Sequence, residues 1–207
     1  MTLDTGVRRQ VARKLETYEG RVDHFYLDSV GKVTVGVGHL IVDREAVADL
    51  VMETRIAGQP PATATLAQKR DEYDRIEAEA VGYRAGWYAQ VAQLRMPDDE
   101  INRLRDHHIG RFHRELQGIY TRARGYPQEF DNLPKAVQLA LFDLIFNLGA
   151  TRLVNIFRRL DSAVRAADWK RAALESYRPQ VSHARNQYVH QLFMSAAQAN
   201  EACVPTC

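Results

Sequence analysis

The segment from Leu133 to Gly149, LPKAVQLALFDLIFNLG, most constrains the fold, because its side chains are apolar on nearly every side. A surface helix keeps one polar face, whereas a helix that is apolar all round must be covered by other elements. Pro134 fits the first turn of such a helix and Gly149 fits its end. The sequence therefore predicts a central helix from Pro134 to Leu148 with other helices packed around it.

Apolar periodicity and capping residues predict the helices that surround it. Apolar side chains at Val7, Val11 and Leu15 predict a first helix that ends at Glu19, before Gly20. A long helix with Asp98 as its N-cap is expected to run through Ile119. Shorter helices are predicted over 43–56, 65–80, 152–166, 168–177 and 182–198. Asp43 and Ser182 are the expected N-caps of the first and the last of these helices. A hinge candidate follows the first of them at 57–61.

The stretch from Glu19 to His39 carries the β-strand signals. Phe25–Leu27 and Val33–Val37 are short β-prone runs, and the residues between them place Gly31 at a bend. This pattern predicts a hairpin or meander with Asp28 at the end of its first strand and Thr34 on its second. The predicted fold class is therefore mainly α with a small β-hairpin or meander.

Glu19, Asp28 and Thr34 form a candidate catalytic set within this stretch. Glycosidic cleavage needs one carboxyl group to protonate the leaving oxygen and a second to act on the nucleophile. A neighbouring hydroxyl can hold a water molecule. The same residues would also be ordinary at a helix end and in a turn, so their types alone leave a solvated, non-catalytic role open.

Three blocks of the sequence together resemble the phage-type lysozymes, the muramidases of glycoside hydrolase family 24. The first block is YEG followed by Asp28, Thr34 and GVGH, the second is Leu133 to Gly149, and the third is the Arg-bearing helix from His183 to Phe193. The blocks occur in the family's order. The resemblance implies a two-lobed lysozyme-like fold in a single domain over 1–207. Its expected parts are a catalytic lobe over about 1–56, an inserted helical segment over about 57–93, and a bridging helix with a helical lobe over about 94–207.

The resemblance also implies roles for individual residues. Glu19 is expected to be the general acid, and Asp28 and Thr34 are expected to position the attacking water. Arg185 is expected to form an ion pair with Glu19. His39 is expected to serve structurally. Its partner is left open, because His108 stands where the family has an Asp, and the neighbouring Asp106 could take that Asp's place. The expected substrate-binding residues are Leu40, Phe146, Asn147 and Arg185.

The implied activity is inverting hydrolysis of the β-1,4 bond between N-acetylmuramic acid and N-acetylglucosamine in peptidoglycan. Alternatives are a lytic transglycosylase on the same fold, against which Asp28 and Thr34 argue, and a non-catalytic peptidoglycan-binding domain. A nucleic-acid binder is disfavoured by the lack of interleaved basic and aromatic residues. The sequence does not distinguish a phage endolysin from the lysozyme module of a secreted antibacterial effector. For an effector, the expected partner is a secretion-system component or an immunity protein.

Composition fits this expectation. A net charge of +2 with a basic bias between Arg152 and Arg185 suits a polyanion, and peptidoglycan and nucleic acid both qualify. We expect no membrane insertion and no Sec signal, so synthesis in the cytoplasm would precede action at the cell wall after export or lysis. We also expect a monomer without cofactor or metal. Cys203 and Cys207 are expected in a frayed tail, and His107, His108 and His113 do not share the spacing of a metal site.

The segment 57–93 departs from the compact family pattern and carries Tyr83, Trp87 and Tyr88. Aromatic rings of this kind either pack an inserted helix pair against the body or stack on sugar rings. The sequence leaves both roles open.

Overall fold

A computed structural model describes residues 3–54 and 60–202 of the 207-residue chain. The protein is mainly helical and has a small antiparallel sheet. The described α-helices are α1 (Thr5–Glu19), α2 (Leu66–Glu77), α3 (Asp98–Ile119), α4 (Lys135–Asn155), α5 (Arg158–Arg165), α6 (Trp169–Glu175) and α7 (His183–Ala202). The described strands are β1 (Val22–Leu27), β2 (Val33–Gly36), β3 (His39–Leu40), β4 (Glu53–Thr54) and β5 (Leu94–Arg95). Short 3-10 helices cover Arg44–Asp49, Ala85–Gln90, Arg122–Arg124 and Phe130–Asn132.

The chain divides into two compact units. The sheet unit consists of the described residues between Leu15 and His108, and the helical unit consists of those up to Lys14 together with those from Ile109 onwards.

The core of the helical unit is built on α4. Its side chains from Val137 to Ile145 are all buried, and α4 packs against α5 and α7. The helical backbone is interrupted at Gly149, where φ is 72°. The predicted central helix and its end at Gly149 are therefore confirmed, although Pro134 occupies the N-cap position rather than the first turn.

Helix α4 is also the one described helix whose length and mean hydropathy would allow it to cross a membrane. Most of its apolar window, 61%, is buried inside the protein, as is typical of the core helix of a globular domain.

The sheet unit is organised around the antiparallel sheet β1–β2–β3. Tyr26 pairs with Thr34 and Leu27 with Val33, and a bulge separates these pairs from the pair of Val22 with Gly36. Thr34 in turn pairs with Leu40. Directly opposed residues of antiparallel strands point to the same face, so Tyr26, Thr34 and Leu40 share one face of the sheet. The predicted hairpin or meander is confirmed.

A second, two-stranded sheet in this unit was not predicted. Glu53 pairs with Arg95 and Thr54 with Leu94. Glu72 on α2 contacts this sheet. Its buried carboxylate accepts hydrogen bonds from the N–H groups of Gln93 at 2.8 Å and Leu94 at 3.1 Å. Burial, the largest influence, raises the pKa of Glu72 against the opposite effect of these donors. Glu72 therefore ties α2 to β5.

The segment 43–56 is where the sequence prediction fails most clearly. Asp43 is the predicted N-cap, since its carboxylate accepts from the N–H groups of Glu45 and Ala46, each at 2.9 Å. The helix it caps is a single 3-10 segment that ends at Asp49, and the chain then enters β4. The predicted hinge at 57–61 and the tail with Cys203 and Cys207 fall largely or wholly outside the described residues.

Candidate functional site

Glu19 is the last residue of α1, as its sequence predicted. The end of the helix is braced within the sheet unit by Glu16, whose carboxylate pairs with Arg105 of α3 at 2.5 Å and with Arg21 at 3.2 Å. Gly38 approaches Glu19 closely, because a Cβ built on Gly38 would lie 3.7 Å from the Glu19 Cβ and 3.8 Å from its Oε2. Gly38 also has a φ of 66°, which glycine adopts without strain. The GVGH motif therefore brings the β2–β3 turn against the Glu19 side chain.

Asp28 follows β1 directly and organises the turn into β2. Its Oδ1 accepts hydrogen bonds from the N–H of Val30 at 2.9 Å and from the N–H of Lys32 at 2.8 Å. Its backbone N–H donates to the carbonyl of Lys32 at 2.9 Å. An Asp that bonds the backbone N–H groups of its own turn has a fixed orientation. The carboxylate is half-buried, and Oδ2 is the oxygen that this turn does not use.

Thr34 lies on β2 with only 4% of its surface exposed. Its hydroxyl donates to the carbonyl of Lys32 at 3.1 Å. Because the hydroxyl proton is engaged there, the oxygen lone pairs are oriented to accept from another donor. Lys32 thus contacts both Asp28 and Thr34 through its backbone and couples the positions of the two side chains.

Tyr26 is a residue of this site that the sequence analysis missed. Burial, the largest influence, and the negative charges of Glu19 and Asp28 together raise the pKa of Tyr26 to about 12. The phenol therefore lies within electrostatic range of both carboxylates. The signal available in the sequence was the alternation along β1, which puts Tyr26 two residues before Asp28 on the strand face that Thr34 shares.

The sequence left the partner of His39 open, and the structure pairs His39 with His108. The Nδ1 of His39 and the Nε2 of His108 are 2.9 Å apart, and the two rings are tilted at 55°. One nitrogen must donate and the other must accept, so this hydrogen bond requires at least one neutral ring. Leu40, the next residue, is 45% exposed.

The remaining predicted site residues belong to the helical unit. The ring of Phe146 packs edge-to-face against Phe112 with centroids 5.5 Å apart, and the side chain of Asn147 accepts from Gln180 at 3.4 Å. Both predicted residues are half-buried. The expected ion pair between Glu19 and Arg185 would join the two units and stays a prediction.

Arg185 has a buried partner that the sequence analysis did not predict. Its Nε donates to the Asp143 carboxylate at 3.0 Å, and Arg178 binds the same carboxylate at 2.8 Å. All three side chains are at least nine-tenths buried. The signal for this cluster was Asp143 itself, a single acid within an apolar helix, which needs a cation when it is buried.

Among the described residues, no group of three or more His, Cys, Asp or Glu side chains is arranged to hold a metal ion. Glu19, Asp28 and Thr34 themselves supply two carboxyl groups and one hydroxyl.

Comparison of the chain with models of known protein families finds no match, and comparison with curated protein sequences finds no significant match.

Proposed function

We propose that the protein is a peptidoglycan hydrolase of the lysozyme type, with the two-lobed lysozyme-like fold. It cleaves the β-1,4 bond between N-acetylmuramic acid and N-acetylglucosamine and inverts the anomeric configuration. The observation that carries the proposal is the arrangement in the sheet unit, where a helix end, a turn and a strand each supply one member of the set Glu19, Asp28 and Thr34.

The roles follow from what each group can give or accept. Glu19 gives its proton to the glycosidic oxygen, so that N-acetylglucosamine leaves as an alcohol. A water molecule attacks the anomeric carbon from the opposite side and loses a proton to Asp28 Oδ2. Thr34 accepts the second hydrogen of that water, because its own hydroxyl proton is held by the Lys32 carbonyl. With both hydrogens held, the water directs a lone pair at the anomeric carbon.

The fixed orientation of Asp28 supports inversion. In a retaining enzyme the second carboxylate must attack the sugar directly, whereas in an inverting enzyme it stands back far enough to admit water. The Oδ1 of Asp28 is bound to two backbone N–H groups. On strand β2, the Thr34 hydroxyl donates to the Lys32 carbonyl and, in the proposed mechanism, accepts a hydrogen from the water. A water-holding hydroxyl has no purpose where Asp28 itself is the nucleophile.

Phe146, Asn147, Leu40 and Arg185 belong to the same proposal as substrate-binding residues, with bacterial peptidoglycan as the partner. Action at the cell wall follows export or lysis. No cofactor takes part in the proposed reaction.

The proposal is tested by clearing of purified peptidoglycan sacculi. We expect the wild-type protein to reduce turbidity and Glu19→Gln to have lost this activity while keeping its thermal midpoint, because the change removes one proton donor and opens no cavity. Glu77→Gln is the matched control, since it makes the same change at an exposed glutamate that is the last residue of α2 in the same unit, and Gln keeps an oxygen that can accept from the Tyr73 hydroxyl. Clearing by Glu19→Gln within a fewfold of wild type would exclude Glu19 as the acid.

A further inference from the structure

Tyr83 and Trp87 form a stacked aromatic pair in the sheet unit. Their ring centroids are 4.1 Å apart and their planes are inclined by only 12°. Tyr83 is 48% exposed and Trp87 is half-buried. Tyr83 therefore stacks on Trp87 and still keeps about half of its surface in contact with solvent. The proposed hydrolysis uses neither ring.

The pair is held in a fixed orientation. Tyr88 is fully buried, directs its hydroxyl to the Ala80 carbonyl at 2.8 Å, and lies edge-on to Trp87 with centroids 5.1 Å apart. The 3-10 helix that carries Trp87 packs against β1, and the His24 side chain on β1 bonds to the Ala85 carbonyl at 3.0 Å. A surface held in this way loses little conformational entropy when it binds a ligand.

The pair is connected to the turn that carries Asp28. A Cβ built on Gly31 would lie 3.2 Å from the Val81 Cγ2, so Val81 packs directly on the backbone of that turn. Lys32, which follows Gly31, and Arg84, which follows Tyr83, are both exposed. Val81 therefore connects the segment that carries Tyr83 and Arg84 to the turn that carries Asp28 and Lys32.

We propose that Tyr83 and Trp87, here called the aromatic platform, bind a sugar ring of the glycan strand at a subsite beyond the catalytic residues. This inference rests on the proposed function and adds a binding site to it. One face of a pyranose ring carries mainly C–H groups, which pack on the electron-rich face of an aromatic ring. Lys32 and Arg84 complement the carboxylates of the lactyl-linked peptides.

The size of the aromatic platform favours a saccharide over a protein partner. A stable protein–protein interface buries about 800 Å² on each side. Two rings, of which one is half-buried, offer much less area than that, whereas they match the footprint of a single sugar ring.

The intrinsic fluorescence of Trp87 provides a direct test. The chain has two tryptophans, and Trp169 is 3% exposed, so a change caused by a surface ligand reports on Trp87. The full-length protein in the Glu19→Gln background is titrated with chitohexaose, which that variant does not cleave. Tyr83→Ala, Tyr83→Phe and Trp87→Phe are compared with it, and Tyr177→Ala, which truncates a 62% exposed tyrosine of the helical unit, is the matched control.

We expect chitohexaose to change the emission with a Kd that rises about tenfold in Tyr83→Ala, which corresponds to loss of one good aromatic contact. Tyr83→Phe and Tyr177→Ala should keep the Kd within about twofold, and Trp87→Phe should remove the signal. Unchanged affinity of folded Tyr83→Ala, or no change in emission on titration, would overturn the aromatic platform. Failure of the wild-type protein to clear sacculi while the Tyr83-dependent binding persists would overturn the proposed hydrolysis alone.

Discussion

Replacement of Asp143 by Asn should destabilise the protein more than any change at the proposed catalytic residues. Asp143 lies between Arg178 and Arg185, at 2.8 Å and 3.0 Å, and the exposed fractions of the three side chains are 4%, 0% and 7%. Asn keeps the shape and one acceptor oxygen but removes the negative charge. The two buried guanidinium groups would then lose the negative charge that lies between them.

The expected loss of unfolding free energy is about 3–5 kcal/mol, the range for removing one partner of a buried ion pair. For a chain of this length each kcal/mol corresponds to about 2–4 °C, so the thermal midpoint should fall by about 10 °C. Arg185→Ala should destabilise less, because Asp143 keeps its contact with Arg178.

Urea unfolding followed by circular dichroism measures these differences. Glu201→Gln serves as the control, because it breaks an ion pair with Lys170 whose side chains are both more than half exposed, and we expect no measurable change there. If Asp143→Asn lost less than about 1 kcal/mol, the buried cluster would have no structural importance and the reasoning from burial would be wrong.

Three further predictions concern the sheet unit. Thr34→Val should lose most of the clearing activity, with a change in unfolding free energy of only about 1 kcal/mol. Thr34→Ser should retain activity, because Ser keeps the hydroxyl. Equal clearing activity of Thr34→Val and wild type would show that Thr34 has no part in the mechanism. In the folded protein the pKa of Tyr26 is raised to about 12, so folding favours the neutral phenol. This contribution to the unfolding free energy is fully present below the ordinary pKa of tyrosine and is lost as the pH rises through the pKa of the folded state. Between about pH 9 and pH 12 wild type should therefore lose about 2 kcal/mol more unfolding free energy than Tyr26→Phe, and identical slopes would show that the phenol is not buried. Proton NMR of the first product, read before mutarotation, should show the α-anomer of N-acetylmuramic acid, and initial β-anomer would mean that Asp28 forms a covalent intermediate.

Local signals in the sequence were sufficient for the elements that hold the proposed catalytic residues. The end of α1 at Glu19 and the turn after Asp28 depend on nearby glycines, Gly20 and Gly31, whose φ values of 81° and 79° few other residues adopt. The apolar run of α4 likewise predicted its burial. These features are set by residues close together in the chain.

Long-range pairings could not be predicted in this way. The helix predicted over 43–56 gives way to β4 because Glu53 and Thr54 pair with Leu94 and Arg95, which lie far along the chain and carry no distinctive strand pattern. The cluster around Asp143 depends on where α4 and α7 meet. The open question about the aromatic residues of 57–93 has an answer in part, since Tyr88 is fully buried as a packing residue while Tyr83 is exposed.

Mass spectrometry of the soluble fragments released from purified sacculi distinguishes hydrolysis from its alternatives. We expect the wild-type protein, and not Glu19→Gln, to release muropeptides that end in N-acetylmuramic acid with a free reducing end. Fragments that end in 1,6-anhydro-N-acetylmuramic acid would show a lytic transglycosylase in which Asp28 and Thr34 position no water. Sacculi left intact by a folded wild-type protein would contradict enzymatic cleavage altogether.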